Sequence, residues 1–211
     1  MKHHISRTVL IACTLLCFPF TVATSQVPQG AHNFEAIDTM RDRDLQPDRV
    51  MDVIGLRPGM VVGEAGASYG YFTFKMSNRV GSAGIVYAND IDPDALQLIE
   101  KRCGLQKTSN IKTVLGEVAD PRFPRDNLDM IVVFDCLFEF SKPAEWMKNA
   151  RTYLKPGGRL VIVDPDRSKM ASQHFLSRQQ IRDFARQSGY TVIEVADGFL
   201  KTHMIVVLQP A

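Results

Sequence analysis

The sequence predicts an α/β protein with a doubly wound, mostly parallel sheet of seven strands that ends in an antiparallel hairpin. From residue 60 to residue 164, short β-rich apolar runs alternate with helical stretches, as in parallel strands linked by crossover helices. Near the C-terminus, two strand-like runs lie too close together for a parallel crossover, so they must pair antiparallel. The 211 residues, with 45% hydrophobic side chains, suffice for one domain with a substantial core.

The predicted elements follow one another closely along the chain. Two short helical patterns come first, at residues 34–40 and from residue 46, where Pro47 suits a first helical position. The further predicted strands are 60–65, 84–90, 110–118, 128–135, 158–164, 190–197 and 203–210, and the further helices are 71–80, 93–103, 143–154 and 176–189. In such a sheet, ligands bind outside the carboxyl ends of the strands, so the loops at that edge are the candidate site.

The first 25 residues have the features of a secretory signal peptide in the usual order. Basic Lys2 and Arg7 precede an apolar run that ends at Phe20, and small residues follow at Ala23 and Ser25. The apolar run is shorter than the roughly 20 residues needed to cross a bilayer, which favours cleavage over retention as a membrane anchor. We therefore expect an exported protein, periplasmic or secreted, with no stable membrane insertion after cleavage.

Two alternatives remain for this segment, an uncleaved anchor and a lipoprotein signal ending at Cys13. The lipoprotein signal ranks last because little apolar sequence precedes the cysteine. The expected organisation of the chain is a signal peptide at 1–25, a linker with a short helix at 26–46, and the main domain at 47–211.

Charge and cysteine content exclude several function classes. Removing Lys2 and Arg7 from the 25 basic side chains leaves 23, equal to the 23 acidic ones. A neutral chain has no electrostatic footprint for nucleic acid or for an acidic membrane surface, so nucleic acid is not expected as a partner. The expected substrate is a small molecule. Cys103 and Cys136 lack metal-ligand or redox spacing and are interpreted as small core residues. His32 and His203 have no ligand spacing with any carboxylate, and no metal is expected.

The loop after the first main strand carries the first functional signal. Glu64 ends an apolar run, and Gly66 and Gly70 follow it. Glycine permits positive φ and lets backbone approach a ligand closely, while the free amides of the next helix attract an anion. The spacing is acidic-x-G-x-x-x-G, which differs from the G-x-G-x-x-G of dinucleotide-binding proteins.

At these residues the chain resembles the class I S-adenosylmethionine-dependent methyltransferases, whose fold is Rossmann-like and whose first motif is acidic-x-G-x-G-x-G. Ser68 stands at the family's middle glycine, where it restricts the backbone, adds a hydroxyl and could cap the helix. The resemblance implies S-adenosyl-L-methionine as cofactor. It implies a binding loop formed by Glu64, Gly66, Ala67, Ser68 and Gly70.

Later strand ends extend the resemblance to about residues 47–210, including the closing hairpin. In the family, an acidic residue at the place of Asp90 holds the two ribose hydroxyls, which suits a carboxylate because it accepts from both. The residue at the place of Ile91 lies against the adenine. The resemblance also puts Glu117 near the adenine amino group, with Val118 beside it.

Methyl transfer from a sulfonium is an in-line displacement, so holding donor and acceptor in line supplies much of the rate. A base is needed only where the acceptor must lose a proton. Asp135, directly after the fourth main strand, is the first candidate by position. The other candidates are Glu139, Asp164, Asp166 and His174, for which capping, solvation or packing are the plainer interpretations.

A charged cluster at residues 40–49 precedes the domain pattern. It could cover the cofactor or receive a substrate carboxylate through Arg41 or Arg43. The preferred interpretation is a solvated charged face.

Two other function classes stay open beside methyl transfer. A nicotinamide-dependent oxidoreductase leaves Glu117 and the terminal hairpin unexplained. A non-catalytic binding protein on the methyltransferase fold would fit a signal peptide better, because the cofactor is made in the cytoplasm. Ser68 in place of glycine would be an early sign of such a loss of activity.

Overall fold

The computed structural model describes residues 34–124, 126–195 and 198–211. The predicted signal peptide and His32 lie outside these residues. The helices are α1 (Phe34–Leu45), α2 (Pro47–Val53), α3 (Tyr71–Val80), α4 (Pro93–Gln106), α5 (Pro143–Ala150), α6 (Arg167–Met170) and α7 (Arg178–Gln187). The strands are β1 (Val61–Ala65), β2 (Ile85–Asp90), β3 (Ile111–Leu115), β4 (Leu128–Phe134), β5 (Leu154–Pro165), β6 (Tyr190–Val195) and β7 (His203–Pro210).

The seven strands form one sheet in the order β3-β2-β1-β4-β5-β7-β6. The pairs from β3 to β5 are parallel, and β7 lies antiparallel between β5 and β6. This confirms the predicted mostly parallel sheet with its C-terminal antiparallel hairpin. The strand order reverses between β1 and β4, and a ligand crevice opens at such a switch point outside the carboxyl ends of the strands.

Helices cover both faces of the sheet, which explains why its central strands are continuous apolar runs. In β4, Met130, Val132 and Phe134 pack on one face with side chains of α2 and α3, and Ile131 and Val133 pack on the other with side chains of α5 and α7. The side chains of a strand alternate between the two faces. Both sets are buried, so β4 lies at the centre of the core.

Several element ends differ from the sequence prediction. Strand β3 ends at Leu115, before the predicted end at residue 118, because the backbone of Glu117 pairs with Asp120 in a tight turn. The predicted helix at 143–154 ends at Ala150 and continues as a 3₁₀ turn. The short helix α6 was not predicted, and its N-cap is Asp166. All these differences concern where an element begins or ends, and that depends on a few local hydrogen bonds.

Within the described ranges, no helix has both the length and the apolar character needed to cross a membrane. Cys103 and Cys136 are both free thiols. Cys136 is buried in the main core cluster, and Cys103 is partly buried against a smaller one.

Candidate active site

A cavity of about 500 Å³ lies at the carboxyl ends of β1, β2 and β4. This volume is within the range of about 300–1,000 Å³ that is usual for small-molecule sites. Asp135 lines the cavity with eight of the nine predicted cofactor residues, namely Glu64, Gly66, Ala67, Ser68, Asp90, Ile91, Glu117 and Val118. The sheet therefore brings together residues that the sequence predicted separately.

Glu64, near the end of β1, contributes a carboxyl group that is 2% exposed and lines the cavity. The hydroxyl of Thr73, in α3, donates a hydrogen bond to it. Burial raises the pKa of Glu64 to about 8; the negative charge of Asp90 adds to this shift, whereas the Thr73 hydrogen bond and the charge of Arg41 oppose it. A positively charged group that binds beside such a buried acid favours the ionised carboxylate, so the acid can release its proton when the cation binds.

The loop from β1 to α3 turns sharply through three left-handed residues. Gly66, Ser68 and Gly70 have φ values of 69°, 49° and 88°. A Cβ at Gly66 would lie 2.4 Å from the Sγ of Cys136, so glycine is required there both by the conformation and by the close approach. Ser68 does not cap α3, because Gly70 is the N-cap residue.

Gly70 is the one predicted cofactor residue that does not line the cavity. A Cβ there would lie 2.9 Å from the ring of Phe74. Its role in the structure is therefore to let α3 start close to its neighbours, and a glycine pattern alone does not separate this role from ligand contact.

Asp90, at the end of β2, accepts hydrogen bonds from the loop that follows β1 and from the loop that follows β2. Its Oδ2 accepts a hydrogen bond of 2.8 Å from the backbone N–H of Ser68, and its Oδ1 accepts one of 3.0 Å from the N–H of Asp92. Asp92 in turn caps α4. The next residue, Ile91, is 59% exposed at the cavity rim.

Glu117 and Val118 line the cavity from the turn after β3. The carboxylate of Glu117 is exposed and pairs with the guanidinium of Arg122 at 2.5 Å. Val118 is 49% exposed. An apolar side chain that remains exposed at a cavity rim is available to a ligand.

Asp135 follows β4 directly and has a φ of 58°, a left-handed conformation. Its N–H donates to the carbonyl of Val163 at 2.7 Å. Its Oδ2 accepts a hydrogen bond of 2.6 Å from Nη2 of Arg41, and its Oδ1 lies 3.3 Å from Nε2 of His203. Three elements distant in sequence thus meet at one carboxylate.

The preferred interpretation of the charged cluster as a solvated face does not hold for Arg41. Its guanidinium lines the cavity, donates to the hydroxyl of Tyr69 at 3.0 Å and lies 4.3 Å from the ring centre of Tyr71. Arg43 is exposed, as the preferred interpretation requires. The ion pair with Asp135 spans 94 positions of the chain and has no local sequence signal.

Of the other candidate bases, only Glu139 lines the cavity. Asp166 caps α6 and accepts hydrogen bonds from Arg178. His174 packs edge-on against Phe138, as the packing interpretation requires.

Asp164 lies behind the site and is fully buried. Its carboxyl oxygens accept hydrogen bonds of 2.9, 3.2 and 3.1 Å from the backbone N–H groups of Cys136, Leu137 and Phe138. Burial raises the pKa of Asp164 to about 8, although these hydrogen bonds lower it. Its position indicates that it fixes the turn after β4, and the structure does not support it as a base toward a ligand.

Sequence reasoning missed the aromatic walls of the cavity and the partners of Asp135. The cavity is also lined by six aromatic side chains, namely Tyr69, Tyr71, Phe72, Phe134, Phe140 and Trp146. Tyr69 lies within the glycine loop and Tyr71 is the first residue of α3, so both stand beside Gly70 in the motif that the sequence singled out. The remaining four are apolar residues that the pattern assigns equally well to the core. No group of three or more possible metal ligands occurs among the residues that the structure describes.

Residues 56–198 match the family model of a methyltransferase domain. A ubiquinone/menaquinone biosynthesis C-methyltransferase of Vibrio vulnificus is 30% identical over 172 residues, which cover 75% of this chain and 66% of that protein. The nocamycin O-methyltransferase of Saccharothrix syringae is 28% identical over 118 residues, covering 56% of this chain and 42% of that protein. The chain thus spans just under two thirds of the length of the first relative and less than half that of the second.

Solved structures share the fold at low sequence identity. A methyltransferase from Aquifex aeolicus, described as dependent on S-adenosylmethionine, has a TM-score of 0.75 at 21% identity, covering 85% of this chain and 97% of its own. Fibrillarin from Aeropyrum pernix, solved with natively bound S-adenosyl-L-methionine, has a TM-score of 0.57 at 19% identity, covering 73% of this chain and 68% of its own. Because the family model matches most of its length, the chain belongs to the methyltransferase domain family.

Proposed function

We propose that this protein transfers a methyl group from S-adenosyl-L-methionine to a small, uncharged aromatic acceptor that carries a hydroxyl group. The observation that carries the proposal is one cavity whose lining combines Glu64 and Asp90 with Asp135 and six aromatic side chains. The relative from Vibrio vulnificus is named for quinone biosynthesis, and the one from Saccharothrix syringae for O-methylation. Both names are consistent with a small acceptor.

The cavity residues suit the three chemical parts of the cofactor. The buried carboxyl of Glu64 can exchange its proton for the ammonium group of the amino-acid part. Each oxygen of Asp90 accepts one backbone hydrogen bond and has capacity for another, which suits two ribose hydroxyls. Ile91 and Val118 offer exposed apolar surface to a base. When bound, the cofactor supplies a methyl group on a sulfonium, which is an activated leaving group.

The charges of the cavity argue for an uncharged acceptor. Among the described residues that line it, Arg41 is the one cationic side chain, and Asp135 already pairs with it. The carboxylates of Asp90, Glu117 and Glu139 would repel an acceptor that carried a negative charge. Aromatic walls favour a planar ring, since stacked or edge-on rings attract beyond the area they bury.

Asp135 is the proposed base. Its carboxylate would accept the hydrogen bond of the acceptor hydroxyl and take up its proton as the new bond to the methyl group forms. Removal of that proton raises the electron density on the oxygen and on the ring carbons beside it, so either atom becomes a better nucleophile. General-base catalysis of this kind contributes roughly 10²–10⁴-fold.

The proposal is tested by incubating the protein with S-adenosylmethionine and 1,4-dihydroxynaphthalene without oxygen, and identifying products by mass spectrometry. We expect a monomethylated product and S-adenosylhomocysteine in equal amounts. The matched probe 1,4-dimethoxynaphthalene, which has no hydroxyl, should give neither. Asp135→Asn should lower turnover by roughly 10²-fold or more while its affinity for S-adenosylhomocysteine stays within a factor of two.

Two results would contradict the proposal. Binding of S-adenosylhomocysteine without any methylated product would favour the non-catalytic alternative. Equal turnover by Asp135→Asn and the parent protein would remove Asp135 as the base.

A further inference from the structure

We propose that Arg41 and His203 are positioning residues, which hold the carboxylate of Asp135 from two sides and aim it at the acceptor. The inference rests on the proposed function and extends it to two residues outside the methyl-transfer chemistry itself. Arg41 comes from α1, and His203 is the first residue of β7. Their distances to Asp135 in sequence are 94 and 68 positions, so only the folded chain brings them together.

His203 lies behind Asp135 and does not line the cavity. Its side chain is 10% exposed, and its Nε2 lies 3.3 Å from Oδ1 of Asp135. A carboxylate only accepts hydrogen bonds, so Nε2 must carry the proton in this contact. Nδ1 lies 2.8 Å from the hydroxyl of Thr202, which can donate to it. Each ring nitrogen therefore has a hydrogen-bond partner, and the two contacts together fix the plane of the imidazole.

The backbone of His203 is also fixed. Lys169, in α6, donates hydrogen bonds of 2.7 Å to the carbonyl of His203 and 2.9 Å to that of Leu200. In the sheet, His203 pairs with Pro165 at the end of β5. The imidazole thus projects from a rigid part of the fold, as a positioning group must.

Arg41 is fixed on the opposite side. Beyond its 2.6 Å contact with Asp135, its other terminal nitrogen donates to Tyr69, and its guanidinium carbon lies 4.3 Å from the centre of the Tyr71 ring. The helix that carries Arg41 is tied to the domain by a nearly buried ion pair of 2.6 Å between Asp38 and Arg102. Arg41 therefore does not depend on Asp135 alone for its place.

The two contacts leave Asp135 restrained and still able to act. Each carboxylate oxygen has one partner and can accept a second hydrogen bond, so an acceptor hydroxyl has a place to donate. The left-handed backbone at Asp135 is a conformation that most residues avoid, and functional sites are enriched in residues strained in this way. A base must lie within hydrogen-bond reach of its proton, and misplacement of about 1 Å can cost roughly 10²-fold in rate.

The test uses five variants, one of them the Asp135→Asn protein described above, and two independent measurements. His203→Leu and Arg41→Met remove one contact each, His203→Gln keeps an N–H donor, and Arg43→Met is the control because Arg43 is exposed on the same helix. With 1,4-dihydroxynaphthalene as probe, we expect kcat to fall roughly 10–100-fold in His203→Leu and Arg41→Met. The KM for S-adenosylmethionine should change less than twofold. His203→Gln should recover part of the loss, and Arg43→Met should match the parent protein.

The second measurement does not depend on turnover. The ¹⁵N chemical shifts of the His203 ring should differ between the parent protein and Asp135→Asn, because the partner of Nε2 changes from a carboxylate to an amide. Identical ring spectra in the two proteins would overturn the proposed contact between His203 and Asp135, whichever acceptor is used. Unchanged kcat in His203→Leu and Arg41→Met, with a reduced kcat in Asp135→Asn, would overturn the positioning role of the two residues while leaving the proposed function intact.

Discussion

The hydroxyl of Thr73 donates a hydrogen bond to the carboxyl group of Glu64, which lines the cavity and is 2% exposed. Burial raises the pKa of Glu64 to about 8. One hydrogen bond is too little to offset the loss of hydration for a carboxylate. Glu64 therefore keeps its proton at neutral pH, and this has consequences for both stability and binding.

The first prediction concerns stability. The folded protein keeps a proton on Glu64 that the unfolded chain loses above about pH 4.5, so the free energy of unfolding falls as pH rises from about 4.5 to about 8. Asp164 contributes in the same direction. Glu64→Gln has no proton to lose, so it should gain roughly 1–3 kcal/mol relative to the parent protein between pH 5 and pH 8. Urea denaturation at the two pH values measures this gap, and a gap that does not depend on pH would refute the prediction.

The second prediction concerns cofactor binding. An ammonium group placed near Glu64 favours the ionised carboxylate, so binding of S-adenosylhomocysteine at pH 7 should release part of a proton. Calorimetric titrations in buffers of different ionisation enthalpy measure the number of protons released. Glu64→Gln should release none from this site. Equal proton release by the two proteins would assign the proton to another group.

The third prediction concerns Asp90. Asp90→Ala should weaken the binding of S-adenosylhomocysteine by about 1–3 kcal/mol, because buried hydroxyl partners are left unpaired. It also removes the acceptor for the N–H of Ser68, so part of the loss comes from a looser loop. Asp94→Ala is the matched control, since Asp94 is exposed in the first turn of α4 and does not line the cavity. If Asp90→Ala binds as tightly as this control, the ribose assignment is wrong.

The parts of the fold that the sequence predicted are those decided by local pattern. Alternating apolar runs and helical stretches repeat along the chain, so the parallel sheet and its closing hairpin follow from residues a few positions apart. The positive φ values at Gly66 and Gly70 could also be predicted from local sequence, because a glycine in a strand-to-helix loop indicates such a conformation. The structure differs from the sequence prediction mainly in where elements begin and end, because single hydrogen bonds determine those positions.

The parts that the sequence could not predict depend on contacts between distant residues. A cluster of alternating charges such as that around Arg41 looks solvated, and only the packing of α1 shows that Arg41 lines the cavity. Asp135 follows the apolar strand β4, and Asp164 lies near the end of the apolar strand β5. Although the two positions look alike in the sequence, Asp164 accepts hydrogen bonds from three backbone amides, whereas Asp135 lines the cavity. The direction of a side chain at a strand end is a property of the folded sheet.

The fourth prediction is export, which concerns residues outside those that the structure describes. We propose that the segment with Lys2, Arg7 and the apolar run to Phe20 is cleaved, so that the mature chain begins close to Thr24 or Gln26. N-terminal sequencing of the native protein measures this. A chain that lacks residues 1–25 should fold with the melting temperature of the native protein. A native protein that begins at Met1 and is found in the cytoplasm would contradict export and would place the protein beside the source of S-adenosylmethionine.

The fifth prediction concerns the contact between Gly66 and Cys136. Gly66→Ala should destabilise the protein by about 1–3 kcal/mol, because the residue has a φ of 69° and its Cβ would lie 2.4 Å from the Sγ of Cys136. Gly66→Val should lose affinity for S-adenosylhomocysteine while most of the fold is kept. Thermal and chemical denaturation measure the first effect, and calorimetric titration measures the second.

A double substitution separates the two causes of this cost. Cys136→Ala removes the sulfur atom, and the remaining Cβ of residue 136 would lie 3.0 Å from the new methyl group. In the Cys136→Ala background, Gly66→Ala should therefore cost less than in the parent protein, and the residual cost reports the strained backbone. Equal costs in the two backgrounds would show that the left-handed conformation alone requires glycine. A full recovery would show that the close approach to Cys136 is the whole requirement, because an alanine at this φ would then be tolerated.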